Sequence, residues 1–460
     1  MEGFVTEERF ERSLARAAWK TPKQLASLRS WRVQPIDEKP LKFFFHTNAQ
    51  AKADSLAAVL KARGYEPEVR KTGTFVDWTA AWLEMASWVV TGHTPPLLMT
   101  EDALLAWTNE MCQLGPKHDC EFDGWFGETP DFLEMNDDYC LQGCADGTQQ
   151  LTLYRWNASS EAALAENDIY WVSPGADLGS LGVLQRYAHK IRGLRSPSEE
   201  LSLEDIDQLP GLEQIYLFKA PPVHGDYRKL PRLRGFRCLD GEKLNPQWLN
   251  NPGLRRVELM RPRKLKTLNT LDAWQGLDSL ILSGAPLTSL EGLTNFLALR
   301  ELRLAHCLSL TDISALGQTP GVEMLEIYKT PKVLSFEPIA ALNRLRWVFI
   351  YSRGGALASY DTLKGWPEVQ SASVLLPMGH VDFESLAHHP SVAELLLYTQ
   401  PGFQLPSEDE LRRALQTHGR QVRSVFLRPK DECPSIQVTF DSPYWRSPAA
   451  HEGHARMFVQ

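Results

Sequence analysis

Between Leu212 and Leu397 the hydrophobic positions fall into one returning phrase. Leu212, Ile215 and Leu217 fill its first, fourth and sixth places. The same spacing recurs at Leu233/Phe236/Cys238, Leu254/Val257/Leu259, Leu277/Leu280/Leu282, Leu299/Leu302/Leu304 and Val322/Leu325/Ile327. It continues through Leu345/Val348/Ile350, Val369/Ala372/Val374 and Val392/Leu395/Leu397. Successive first positions lie 21, 21, 23, 22, 23, 23, 24 and 23 residues apart. In-phase copies at this period predict a stacked-repeat architecture. The fourth and sixth residues point the same way from a short strand and face a core, while the fifth and seventh face out. One repeat cannot bury its own apolar edge. Stacked repeats bury each other's edges and pair their strands in parallel.

The return legs carry a second apolar set, Leu287/Leu290/Leu293 in one copy and Leu310/Ile313/Leu316 in the next, with Asp312-Ile313-Ser314 inside it. These phrases resemble the short-repeat leucine-rich family of internalin type. The resemblance implies a solenoid with a parallel sheet on its concave face. That family usually places an asparagine eight residues after the first leucine. Here those positions hold Ala220, Gly241, Pro262, Ala285, Cys307, Thr330, Arg353, Pro377 and Gln400, which predicts irregular turns and less uniform curvature. Ile191 and Leu194 read as a degenerate first repeat. After Leu397 a helix over Ser407 to His418 and the later Val422/Val425/Leu427 read as a cap over the last apolar edge.

Upstream, the pattern changes. Phe4, Phe10, Leu14 and Ala18 suggest a helical lead-in that ends before Pro35 and Pro40. Phe43 to His46 reads as a strand and Ala49 to Arg63 as a helix, with Asn48 as its cap. Glu66 to Arg70 and Ala80 to Val90 read as strands, and a second helix starts at Thr100. This order predicts a ferredoxin-like sandwich. Leu151 to Trp156 and Ile169 to Val172 read as strands continuing this unit. The fold class is therefore α/β: a lead-in (1–41), a ferredoxin-like α/β domain with an acidic extension (42–187), a leucine-rich-repeat solenoid (188–400), and a cap and tail (401–460). Phe122-Asp123-Gly124-Trp125, with Thr94-Pro95 and Phe44-Phe45 before it, resembles the bacterial ribonuclease E inhibitor family, regulator of ribonuclease activity, B type, over roughly Lys42 to Glu128. The resemblance implies a non-enzymatic protein binder that restrains a nuclease. This chain lacks that family's long acidic N-terminal segment and adds the repeat array.

Composition narrows the function. A net charge of −8 with 23% charged residues argues against a nucleic-acid surface. No apolar run reaches the length of a membrane span, and no secretory signal opens the chain. Seven cysteines read as reduced thiols in a cytoplasmic protein. Cys140 and Cys144, with Cys112, His118 and Cys120 nearby, form the one candidate metal cluster, and the Cys112 to Cys120 interval is too long for a paired zinc site. No phosphate loop or nucleophile elbow appears. The expectation is no enzyme, no cofactor and no metal.

Two surfaces remain as candidates for binding. The outward positions of repeats six to nine gather Tyr328, Trp347, Phe349, Tyr351, Leu375, Leu396 and Tyr398, and exposed aromatic groups mark interfaces. The alternative is that the chain covers them itself. The second surface is an acidic run. Asp119 to Tyr154 holds nine carboxylates and no Lys or Arg, and Asp131, Glu134, Asp137 and Asp138 are its centre. It reads either as a solvated loop or as a surface steering a basic partner. The favoured function is a monomeric immunity or antitoxin-type inhibitor binding a toxin or nuclease. A regulator of ribonuclease activity, a general scaffold, and an enzyme with an unfamiliar site are the alternatives.

Overall fold

The computed structural model describes residues 4, 5, 7–71, 88–127, 129, 132–144, 146–196, 203–220, 225–352, 366–369, 371–375, 394–398, 407, 409, 410, 412, 413, 422–428 and 435–440. The chain forms two compact units that divide between Leu151 and Thr152.

The first unit opens with α1 (Glu7–Ser30), followed by β1 (Leu41–Thr47), α2 (Gln50–Ala62), β2 (Glu66–Lys71), β3 (Trp88–His93), α3 (Glu101–Lys117) and β4 (Glu121–Gly127). The four strands form one antiparallel sheet in the order β2-β3-β1-β4, the ferredoxin-like arrangement. Alternation on β1 sends Leu41, Phe43 and Phe45 into a core shared with Leu56 and Leu60 of α2 and Leu104, Trp107 and Met111 of α3. Thr100 caps α3, its hydroxyl accepting from the Ala103 amide at 3.3 Å. Asn48 does not cap α2. The N-cap is Ala49, without a side-chain bond, and the Asn48 oxygen instead accepts from Lys52 at 2.8 Å. The lead-in helix is part of the sandwich, since Leu25 and Leu28 of α1 join the same core. Residues 80–87 of the expected third strand lie outside the described residues. The acidic extension adds β5 (Glu134–Met135), β6 (Tyr139–Gly143) and β7 (Gln149–Leu153), with β5 and β6 antiparallel; none of the three joins the four-stranded sheet, so the strand expected from Leu151 does not continue it.

The second unit is the repeat array. After α4 (Ala158–Glu166) come β8 (Trp171–Pro174), β9 (Gly193–Ser196), β10 (Gln214–Leu217), β11 (Gly235–Cys238), β12 (Arg256–Met260), β13 (Ser279–Ser283), β14 (Glu301–Ala305), β15 (Met324–Tyr328), β16 (Trp347–Tyr351), β17 (Ser371–Leu375) and β18 (Glu394–Tyr398). They pair in parallel in sequence order. The register superimposes every fourth and sixth position, and the core residues from Ile215 to Ile350 are buried. The sequence reading gave β8 to the N-terminal unit, but Trp171 pairs with Gly193 and starts the parallel run. Gly193 suits that place because a Cβ there would meet the Trp171 ring at 2.3 Å. At the other end the parallel run stops. β20 (Ser435–Phe440) lies antiparallel on β18, and β19 (Val422–Arg428) pairs with β20 as a hairpin. Of the expected helix at 407–418, Ser407 and Glu410 form a capping box, and most of the rest lies outside the described residues.

The turns are of two kinds: after Phe218 and Leu239 the next residue is not left-handed, and the Ala220 and Gly241 amides donate to the Asp240 and Met260 carbonyls, whereas the following four share one geometry. The residue after the seventh position is left-handed in four consecutive repeats: Arg261, Gly284, His306 and Lys329. Each of their amides donates to the carbonyl of the next repeat's seventh residue. The bonds are Arg261 to Ser283 (2.6 Å), Gly284 to Ala305 (2.8 Å), His306 to Tyr328 (2.8 Å) and Lys329 to Tyr351 (2.7 Å). A backbone ladder does the work expected of an asparagine ladder. Among the described residues, the asparagine positions Ala220, Ala285, Cys307 and Thr330 hold small buried groups. On the return legs, the Trp274 indole N–H donates to the Leu249 carbonyl of the preceding repeat and Trp366 donates to Ile339, both at 2.7 Å.

Candidate protein-binding surface

The outer face of β15 and β16 is aromatic. Cross-strand register sets Tyr328 beside Tyr351, Glu326 beside Phe349 and Met324 beside Trp347. The rings stack on each other. Tyr328 and Tyr351 lie 5.4 Å apart at 28°, Trp347 and Phe349 lie 6.2 Å apart at 10°, and Tyr328 reaches Phe349 at 6.2 Å. Mutual stacking leaves all four half-buried. Register continues from Tyr351 to Leu375 and from Ser373 to Leu396, while Tyr398 ends β18. The side chains of Leu375, Leu396 and Tyr398 lie outside the described residues.

A buried charge network lies under the same face. Arg303 on β14 is 7% exposed. Its guanidinium sits 2.6 Å from Glu301 and 3.8 Å from Glu326, and over the Trp347 ring at 6.0 Å. Ser279 donates to Glu301 at 2.6 Å. Burial pushes the Glu326 carboxyl above its ordinary value, Arg303 pulls it back, and Glu301 adds to the rise. Sequence reading had passed over these charges, since each alone looks like a solvated outward residue. Their register on adjacent strands is the signal that could have found them.

The acidic run divides. Asp131 lies outside the described residues. Glu134 and Asp137 are exposed, with Glu134 accepting from the Tyr139 hydroxyl, and Asp138 is half-buried. Asp119, Glu121 and Asp123 instead have partners inside the N-terminal unit. Asp119 accepts from the Phe4 and Val5 amides at 2.7 and 2.6 Å and pairs with Lys52 at 2.6 Å. Asp123 lies 2.8 Å from Arg16 and 3.3 Å from His46, and Arg16 also reaches Glu121 at 3.4 Å. Arg16 comes from α1, so Glu121 and Asp123 pin that helix to β4, while Asp119 holds the Phe4–Val5 backbone and Lys52 of α2. The register shift on β4 accounts for the Phe-Asp-Gly-Trp motif. Phe122 and Trp125 fill the core, Asp123 occupies the bulge, and Gly124 takes φ +127°. Cys112 and Cys120 are core residues whose thiols burial pushes up to about 12, far from thiolate chemistry at neutral pH. Among the described residues no three metal-capable side chains come together, and no helix is long and apolar enough to cross a membrane.

Acid should loosen this network. Burial raises the Asp123 carboxyl, but Arg16 and the His46 hydrogen bond outweigh it and hold the group well below its ordinary 3.8. Asp119 is lowered likewise, against its own burial, by Lys52 and the two amides. A depressed carboxylate contributes stability that is full above its unfolded pKa and lost as pH falls through the folded one. We expect α1 amides to lose hydrogen-exchange protection as pH drops below about 4. Asp123→Asn should lower protection at neutral pH and flatten this acid dependence. An unchanged acid profile in that variant would show that Asp123 carries none of it.

Residues 22–126 match the family model described as Regulator of ribonuclease activity B. The match begins inside α1, earlier than the resemblance at Lys42, and ends on β4, so it covers the ferredoxin-like sandwich. A comparison with curated proteins returns no match. Among solved structures, an internalin (InlF) from Listeria monocytogenes is similar at 14% identity and TM-score 0.38, over 52% of this chain and 70% of that one. The functional domain of InlJ from Listeria monocytogenes is 11% identical with TM-score 0.31, over 64% and 67%. A leucine-rich-repeat protein of Leptospira interrogans is 13% identical with TM-score 0.30, over 58% and 88%. The in-register parallel strands themselves define the leucine-rich-repeat array. The chain thus joins, in sequence, a domain of the Regulator of ribonuclease activity B family to a leucine-rich-repeat solenoid.

Proposed function

We propose that this chain is a cytoplasmic, non-enzymatic inhibitor that binds another protein through the outer face of its parallel sheet. Its most concrete form is an immunity or antitoxin-type protein that neutralises a toxic enzyme such as a nuclease. The observation that carries the reading is the ring cluster Tyr328, Trp347, Phe349 and Tyr351, four aromatic groups left half-exposed on a parallel sheet. Aromatic groups of this kind supply large contact area at little entropic cost and dominate interface energetics. The family of the N-terminal unit supports restraint of a ribonuclease as the second reading.

Affinity capture from the native host, with binding then measured on the purified partner, tests the proposal. Trp347→Ala and Tyr351→Ala should each weaken binding by about 2 kcal/mol, roughly thirtyfold. Their melting temperatures should stay close to the parent's, because neither ring belongs to the inward set. Normal binding by both variants would remove this face as the interface. A captured ribonuclease whose activity falls on binding would favour the second reading, and a secreted toxin would favour the first.

A further inference from the structure

We propose that the aromatic patch on β15 and β16 receives a lysine or arginine side chain of the protein partner, with Glu326 as its ion-pair anchor. This rests on the outer sheet face being the interface, and it names the chemistry of the contact.

Charge counting across the network gives the first argument. Glu301 and Glu326 share a single guanidinium, Arg303, which closes onto Glu301 at 2.6 Å and stands off Glu326 at 3.8 Å. The triad carries net negative charge, and the surplus sits on Glu326. The second argument is position. Glu326 lies in register between Arg303 and Phe349, with Tyr328 on its own strand and Trp347 and Tyr351 on the next. A carboxylate flanked by aromatic rings offers a cation both an opposite charge and ring quadrupoles. Two of the chain's own cations already use these rings: Arg303 over Trp347 at 6.0 Å and Lys329 over Tyr328 at 4.9 Å.

Desolvation makes the contact selective. Glu326 has only 14% of its side chain exposed, and burial already disfavours its charged form. A partner that covers it with an apolar or acidic group deepens that penalty, whereas a cation relieves it. Lysine and arginine also bring apolar stems that can lie along Phe349 and Trp347.

The test uses the full chain labelled with 5-fluorotryptophan, with the Trp347 fluorine resonance assigned through Trp347→Phe. The probes are capped tripeptides Gly-Arg-Gly, Gly-Lys-Gly and Gly-norleucine-Gly. The arginine and lysine peptides should shift the Trp347 resonance saturably and the norleucine peptide should not. Glu326→Gln should weaken the arginine peptide at least tenfold while the protein melts no lower at pH 7, since Arg303 keeps Glu301. Equal shifts by norleucine, no shift by either cation, or full retention of binding in Glu326→Gln would each overturn the proposal. The norleucine comparison on the parent chain stands even if the variant folds poorly. With the captured partner, binding lost in Tyr351→Ala but intact in Glu326→Gln would keep the interface and discard the cation anchor. Binding intact in both would discard both.

Discussion

Replacing Trp274 with alanine is expected to cost the array about 3–5 kcal/mol, the usual range for truncating a buried tryptophan. The residue is fully buried on a return leg. Its ring meets Phe296 of the following leg at 5.8 Å, and its indole N–H reaches back to the Leu249 carbonyl at 2.7 Å. One side chain therefore ties three consecutive repeats together. Removing it leaves a cavity and takes one of two donors from the Leu249 carbonyl, which keeps the Asn251 amide at 2.6 Å. In a solenoid each repeat contacts only its neighbours, so the damage should be local at first. Hydrogen exchange should show early loss of protection in β12 to β14. Trp274→Phe separates the two terms, keeping most of the volume while removing the donor, and should cost about 1 kcal/mol. If the alanine variant exchanges like the parent throughout β12 to β14, Trp274 is not a tie between repeats.

That tie was not legible in the sequence, and the reason is physical. Period finds what repeats. Leu280, Leu302 and Leu325 recur at the same place in every copy, so their burial follows from spacing alone. Trp274 and Trp366 stand on return legs at irregular intervals, and only the fold shows that their N–H groups reach back one repeat. The left-handed turns were hidden for a related reason. Arg261, His306 and Lys329 share no side-chain chemistry that favours positive φ, so the ladder they make is written in the backbone. The aromatic rows were readable because outward positions follow from the same alternation that gives the core. The charges beneath were not, because a guanidinium shared by two carboxylates is a cross-strand property. In the N-terminal unit the strand and helix order gave the ferredoxin-like topology. The acidic run misled in part because a charge count along the chain cannot see Arg16 and Lys52, which approach from more than sixty residues away.

Gly92→Ala should be the most damaging single substitution in the N-terminal unit. Gly92 lies mid-sheet on β3, opposite Phe43 on β1 and Pro67 on β2. Its φ of +154° is one that side-chain-bearing residues rarely adopt. The steric problem is larger than the torsional one. A Cβ there would stand 1.9 Å from the Glu66 carbonyl oxygen and 2.9 Å from the Pro67 Cα. Those atoms are backbone of a paired strand, so no rotamer change relieves the overlap, and β2 must separate from β3. Losing that pairing at the sheet edge places the expected cost at about 4 kcal/mol or more. Gly64→Ala is the control. It also has positive φ, +83°, but its nearest neighbour would be a Pro95 side-chain atom at 3.7 Å, so it carries torsional strain without a clash. That variant should lose about 1–2 kcal/mol. Thermal melting of both variants, with exchange protection read separately on β1 to β4 and on β12 to β16, decides the matter. Gly92→Ala should strip protection from the first set and leave the second intact. If it melts and exchanges like Gly64→Ala, the close approach of β2 to β3 at Gly92 does not hold this sheet together.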